Sequence, residues 1–71
     1  KVEACYQHAC LVNEDGKSMN NQSVRERFNL KKTQSSVASR IIADTQEVGL
    51  IKIANTDIVS KKLMTYVPYY V

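Results

Sequence analysis

A chain of 71 residues with a net charge of +3 and 44% hydrophobic residues describes one small folded domain rather than a disordered segment. At this length only about 60–65% of the unfolded surface is buried, so the core must come from a few helices and a small sheet. No apolar run approaches the roughly 20 residues a bilayer crossing needs, the first residues do not form a secretion signal, and a pI near 9.0 permits a nucleic-acid partner without requiring one.

The chain starts at Lys1 rather than Met, as expected for a piece of a longer protein or for a processed chain. Residues 2–13 place Val2, Cys5, Ala9 and Val12 at helical spacing, with Tyr6 and Cys10 widening the stripe; this predicts an amphipathic first helix. Cys5 and Cys10 are the two cysteines. Residues five apart on a helix diverge by about 140°, which opposes a disulfide, and free thiols point to a reducing, cytoplasmic setting. His8 between them invites a zinc reading. It lacks a CxxC pair and a fourth ligand, so no metal and no cofactor are expected.

Glu14, Asp15 and Gly16 end the helix with turn chemistry, and residues 17–19 read as a stub strand. Asn20 is placed to cap a second helix. Met19 and Val24 match a hydrophobic staple, while Val24 and Phe28 face inward one turn apart. Asn29 suits a left-handed helix end, after which Leu30 returns to the core. Thr33 or Gln34 opens the third helix. Its buried stripe is expected to be Ala38, Ile41, Ile42, Thr45 and Val48, with Val37 at the edge. Gly49 is the stop. Residues 50–53 form a β-branched strand, 54–60 a turn, and 61–67 a second strand that pairs antiparallel with the first. Pro68, which cannot donate to a ladder, belongs on an edge or at the strand end.

This order predicts an α+β winged helix-turn-helix, three helices followed by a small antiparallel β-hairpin wing. The third helix would then be the reading helix, since major-groove bases are met by side chains near the front of an inserted helix. Gln34, Ser35, Ser36, Ser39 and Arg40 occupy that position as base-proximal residues. Small hydroxyl groups permit close approach, Gln34 can pair with adenine, and Arg40 can reach guanine or a phosphate. Arg25, Arg27, Lys31 and Lys32 are the phosphate-neutralising group, joined by wing lysines drawn from Lys52, Lys61 and Lys62. Each feature has a plainer alternative. Serines at a helix front are often caps and solvated surface, arginines on a helix often pair with neighbours, and lysines on a hairpin guard its edges. Tyr66, Tyr69 and Tyr70, with Val67 and Val71, read as a tail that packs on the first helix or meets a partner. Catalytic apparatus is not expected: one His, two glycines and no paired carboxylates supply neither a phosphate loop nor an acid–base pair.

The segments NQSVRERFNL, SSVASRIIADTQEVGLIK and YVPYYV resemble the C-terminal winged helix of a bacterial and archaeal family of transcriptional regulators. Those proteins, also described as RecG-like ATP-dependent DNA helicase-related, carry an N-terminal Schlafen/AlbA-type nucleic-acid-binding domain and a divergent ATPase-like middle region. The tail of that family resembles this chain at residues 4–9, 21–28, 39–51 and 66–70. Val24 stands where Leu is usual and Tyr70 where Trp is usual, both compatible with packing. The resemblance implies a double-stranded DNA-binding module at the end of a larger cytoplasmic regulator. Its partners would be duplex DNA, the remaining domains of the parent protein and a second copy in a homodimer, with no membrane. No base-contacting residue and no helicase activity carry over. The competing expectation is a protein-interaction or dimerisation winged helix without direct DNA contact, because fold alone does not set function.

Overall fold

The computed structural model describes residues 1–54 and 64–71. Among them are three α-helices and one two-stranded antiparallel sheet, in the order α1 (Val2–Glu14), α2 (Asn21–Arg27), a 3-10 turn (Lys32–Gln34), α3 (Ser35–Glu47), β1 (Ile51–Ile53) and β2 (Tyr66–Pro68). This is a small α+β domain whose element order and pairing fit a winged helix. No helix among the described residues is long and apolar enough to cross a membrane.

Local chemistry sets most of the boundaries. Asn20 caps α2 as expected: its Oδ1 accepts the Ser23 N–H at 2.8 Å, and the Ser23 hydroxyl accepts the Asn20 N–H at 3.0 Å. Ser23 thus does the work usually given to Glu or Gln in a capping box. Met19 and Val24, the expected staple, are both fully buried. Each of the three helices ends the same way. A residue with positive φ (Gly16 at 76°, Asn29 at 56°, Gly49 at 82°) turns the chain. The next N–H then reaches back to a carbonyl of the last turn: Lys17 to Val12 at 3.1 Å, Leu30 to Arg25 at 2.7 Å and Leu50 to Thr45 at 3.3 Å. These are Schellman closures, and Asn29 fills the role that glycine fills elsewhere.

The core gathers Cys5 and Ala9 from α1, Met19, Val24 from α2, Ala38, Ile41 and Ile42 from α3, and Ile51 from β1, with Phe28, Leu30, Val37 and Tyr66 packed against it. Both cysteines are free, and burial pushes the Cys5 thiol up. Thr45 is the buried polar residue of α3; its hydroxyl donates to the Ile41 carbonyl at 2.7 Å.

Three expectations need correction. Val48 is 62% exposed, because α3 stops at Glu47 and the left-handed turn at Gly49 swings Val48 off the stripe. Of the two residues expected to open α3, Thr33 does not cap it. It lies inside the 3-10 turn, and Gln34 stands at the cap position without a side-chain bond to the helix. The second strand begins at Tyr66, with Met64 and Thr65 ahead of it; Pro68 ends it opposite Ile51, as expected of a residue that cannot donate to a ladder. Pro68 is tolerated there because the ladder bond passes to the next residue, Tyr69 N–H to Leu50 O at 2.9 Å. Residues 61–63 of the expected strand, and the turn after Ala54, lie outside the described residues. The stub strand reduces to one bridge: Met19 and Tyr66 exchange both backbone bonds, at 3.0 and 2.7 Å.

Candidate nucleic-acid interface

Helix α3 turns Ala38, Ile41, Ile42 and Thr45 into the core and leaves Ser35, Ser36, Ser39 and Arg40 exposed. The outward face required for groove entry is therefore present and uncovered by the described residues. Residues 20–40 hold five of the ten basic residues and one of the seven acidic ones, so positive charge concentrates on α2, the 3-10 turn and the front of α3.

Between α2 and α3 lies an open groove of about 550 Å³, lined by residues 20–22 and by Arg25, Lys32, Ser35 and Ser39. Asn21 forms its spine. The Asn21 amide donates to the Ser35 carbonyl and to the Ser39 hydroxyl, both at 3.0 Å. Its Oδ1 accepts the Arg25 Nε–H at 2.8 Å. The Ser35 carbonyl can only accept, which settles the orientation of the amide.

The expected site residues divide into distinct groups. Arg25, Lys32, Ser35 and Ser39 converge on the groove. Ser36 and Arg40 lie outside it on the exposed face of α3. The Arg40 side chain is 82% exposed and leans toward Asp44 at 3.9 Å, an i,i+4 contact worth at most about 0.5 kcal/mol. Gln34 is half-buried, and its Oε1 accepts the Lys31 N–H at 2.8 Å. That leaves its amide NH₂ for any outside acceptor. Lys31 is exposed on the turn.

Arg27 departs from the expected cluster. Two residues along a helix rotate a side chain by about 200°, so Arg27 points away from Arg25. Its guanidinium sits over the Phe28 ring, 5.9 Å from the centroid. Burial first, and the Arg27 charge second, hold His8 below the usual imidazole range, against a smaller opposite pull from Glu26. The His8 Nε2 is 3.2 Å from the Ser23 hydroxyl, which ties α1 to the cap of α2.

On the hairpin, Lys52 is exposed and its ammonium donates to the Val71 carbonyl. Lys61 and Lys62 lie outside the described residues. Asn21 and Gln22 were not among the expected site residues. Asn21 reaches residues 14 and 18 positions away, so no local spacing announces it; a polar residue at the first position of a helix is ordinarily read as surface.

A second surface, formed by α1 and the C-terminal tail, is aromatic. Tyr6 stacks with Tyr69 at 6.2 Å between centroids, and Tyr69 meets Tyr70 edge-on at 5.6 Å. The tail thus packs on α1, yet Leu11, Tyr69, Tyr70 and Val71 each stay more than half exposed. Among the described residues no three His, Cys, Asp or Glu side chains gather as a metal site would require. In comparisons with family models, curated proteins and solved structures, nothing matched this chain.

Proposed function

We propose that this chain is a double-stranded DNA-binding module that meets a duplex with the exposed front of α3 and the cationic groove beside it. The resemblance described above would make it the C-terminal module of a prokaryotic transcriptional regulator acting in the cytoplasm. The observation that carries this reading is the convergence of Arg25 and Lys32 with the Ser35 and Ser39 side of α3 on a groove without a carboxylate in its lining. Phosphate neutralisation needs cations next to the reading helix, not merely somewhere on the surface. Ser36 and Arg40, free of the groove, are the side chains placed to meet base edges. Gln34 contributes through its NH₂ alone.

A single small surface makes few contacts, so the expected affinity is weak, about 0.1 mM to micromolar at physiological salt. Specific regulation would call for a second copy or for the remaining domains of the parent protein. The test is a titration of the isotope-labelled chain with a short duplex at low salt. Amide signals of residues 35–40 are expected to move. Arg40→Ala is expected to weaken binding by about 1–3 kcal/mol if Arg40 reads a base, with the fold intact. Unchanged affinity removes Arg40 from the interface.

The second reading, an interaction or dimerisation module without DNA contact, is favoured by the exposed apolar residues Leu11, Tyr69, Tyr70 and Val71. Dilution that shifts these signals, together with a duplex that shifts none, would replace the DNA reading.

A further inference from the structure

The contact between Arg25 and Asn21 does more than join two turns of α2. A guanidinium is planar and carries five N–H donors. The Nε–H of Arg25 is committed to the Asn21 Oδ1 at 2.8 Å, which limits the orientation of the plane and leaves the terminal amino groups without a partner among the described residues. Asn21 is itself anchored to α3 through Ser35 and Ser39. Arg25, Lys32 and Ser35 line the same groove. An arginine held before its ligand arrives loses less freedom on binding, and its fork suits a bidentate oxyanion.

We propose that the α2–α3 groove is a preset seat for one backbone phosphate of a duplex, with Asn21 as the positioning residue that holds Arg25 for it. The terminal amino groups of Arg25 grip two phosphate oxygens, and the Lys32 ammonium adds a second positive charge. The inference rests on the DNA reading above and deepens it: it names one contact and the side chain that prepares it. A phosphodiester is favoured over a free anion because the seat adjoins the exposed front of α3, where a bound duplex would run.

The experiment measures duplex affinity of the full chain across a range of salt concentrations, for the wild type and for Arg25→Ala, Arg25→Lys, Asn21→Ala and Arg27→Ala. Losing one phosphate contact flattens the salt slope by about 0.9, and this is expected for Arg25→Ala. Arg25→Lys and Asn21→Ala keep the charge, so their slopes are expected to stay near the wild-type value while affinity falls about fivefold to tenfold. Arg27→Ala, on the far side of α2, is expected to change neither quantity. A role in folding alone would not separate affinity from slope in this way. If Asn21→Ala does not fold, Arg25→Lys decides: wild-type affinity in that variant means charge alone matters and overturns the preset seat. An unchanged slope in Arg25→Ala overturns the phosphate contact. Inorganic phosphate that moves the Arg25 and Ser35 signals as strongly as duplex does would make the groove a free-anion site and overturn the assignment to DNA. A wild-type chain that binds no duplex even at low salt removes the DNA reading itself, whereas normal wild-type binding with unaffected Arg25 variants removes only the seat.

Discussion

The α2–α3 side and the α1–tail side of this domain are supported by the same few buried residues and present opposed chemistry. On the first, the Asn21 amide cross-links α2 to α3 and holds Arg25, and two cations line an open polar groove. On the second, Tyr69 stacks on Tyr6 of α1 and meets Tyr70 edge-on, and Leu11 of α1 and Val71 of the tail are also exposed. The first is organised by hydrogen bonds that fix direction, the second by contacts that tolerate sliding. A small core can therefore serve a directional, charged ligand on one side while the other side stays available to an apolar surface. The two faces also differ in what connects them to the core. Met19 lies fully buried between the elements of both: its Sδ accepts from the Cys5 thiol of α1 at 3.9 Å, it belongs to the same core cluster as Val24 of α2, and its backbone exchanges bonds with Tyr66.

The largest expected effect tests that shared support. Met19→Ala should cost about 2–5 kcal/mol and shift the signals of both faces together in a urea titration. A loss below about 1 kcal/mol, or a change confined to one face, would break the picture of a common anchor. Next is Gly49→Ala. A methyl group there meets nothing within 4 Å, so the cost is backbone strain alone, about 1–2 kcal/mol. Thermal unfolding should register it while duplex affinity of the folded chain is retained, and an unaltered Tm would mean that the left-handed turn is not needed. Asn20→Ala should cost about 1 kcal/mol and sharpen the contrast, since its spectral changes are expected along α2 and the groove and not at the Tyr6–Tyr69 stack.

The smallest effect concerns pH. His8 titrates lower in the folded chain than its ordinary value of about 6.5. Between the folded and unfolded values the unfolded chain binds more protons, so stability rises with pH there. The contribution is complete above about 6.5 and is lost as pH falls through the lower, folded value. His8→Gln should flatten this dependence in unfolding experiments between neutral and acidic pH; a profile identical to wild type would show that His8 does not set it.

Much of this architecture was legible because it is local. The stripe of Ala38, Ile41, Ile42 and Thr45, the cap at Asn20, the left-handed Asn29 and the stop at Gly49 each follow from spacing or from one residue's conformational preference. The failures share the opposite property. Val48 fits the helical period, but the period has meaning only while the helix continues, and Gly49 ends it first. β-Propensity alone carries the second strand over Met64 and Thr65, whereas its start at Tyr66 is set by where Ile51–Ile53 and Met19 can reach it. The candidate site was half visible: residue types at the front of α3 were apparent, but the separation of Arg25 from Arg27 depends on which neighbour α2 faces on each side. Asn21 was missed because its partners arrive only when α3 packs against α2.

The bridge between Met19 and Tyr66 has a consequence for how the domain is made. Residue 66 supplies the backbone partner of a residue 47 positions earlier, and its neighbours pair with Ile51 and Lys52. During vectorial synthesis the helices can form as they leave the ribosome, but Met19 has no strand to dock on until those late residues clear the exit tunnel. A released chain ending at residue 65, without the partner of Met19, should accordingly be cleaved by protease near Met19, and a released chain that includes Pro68 should be protected there.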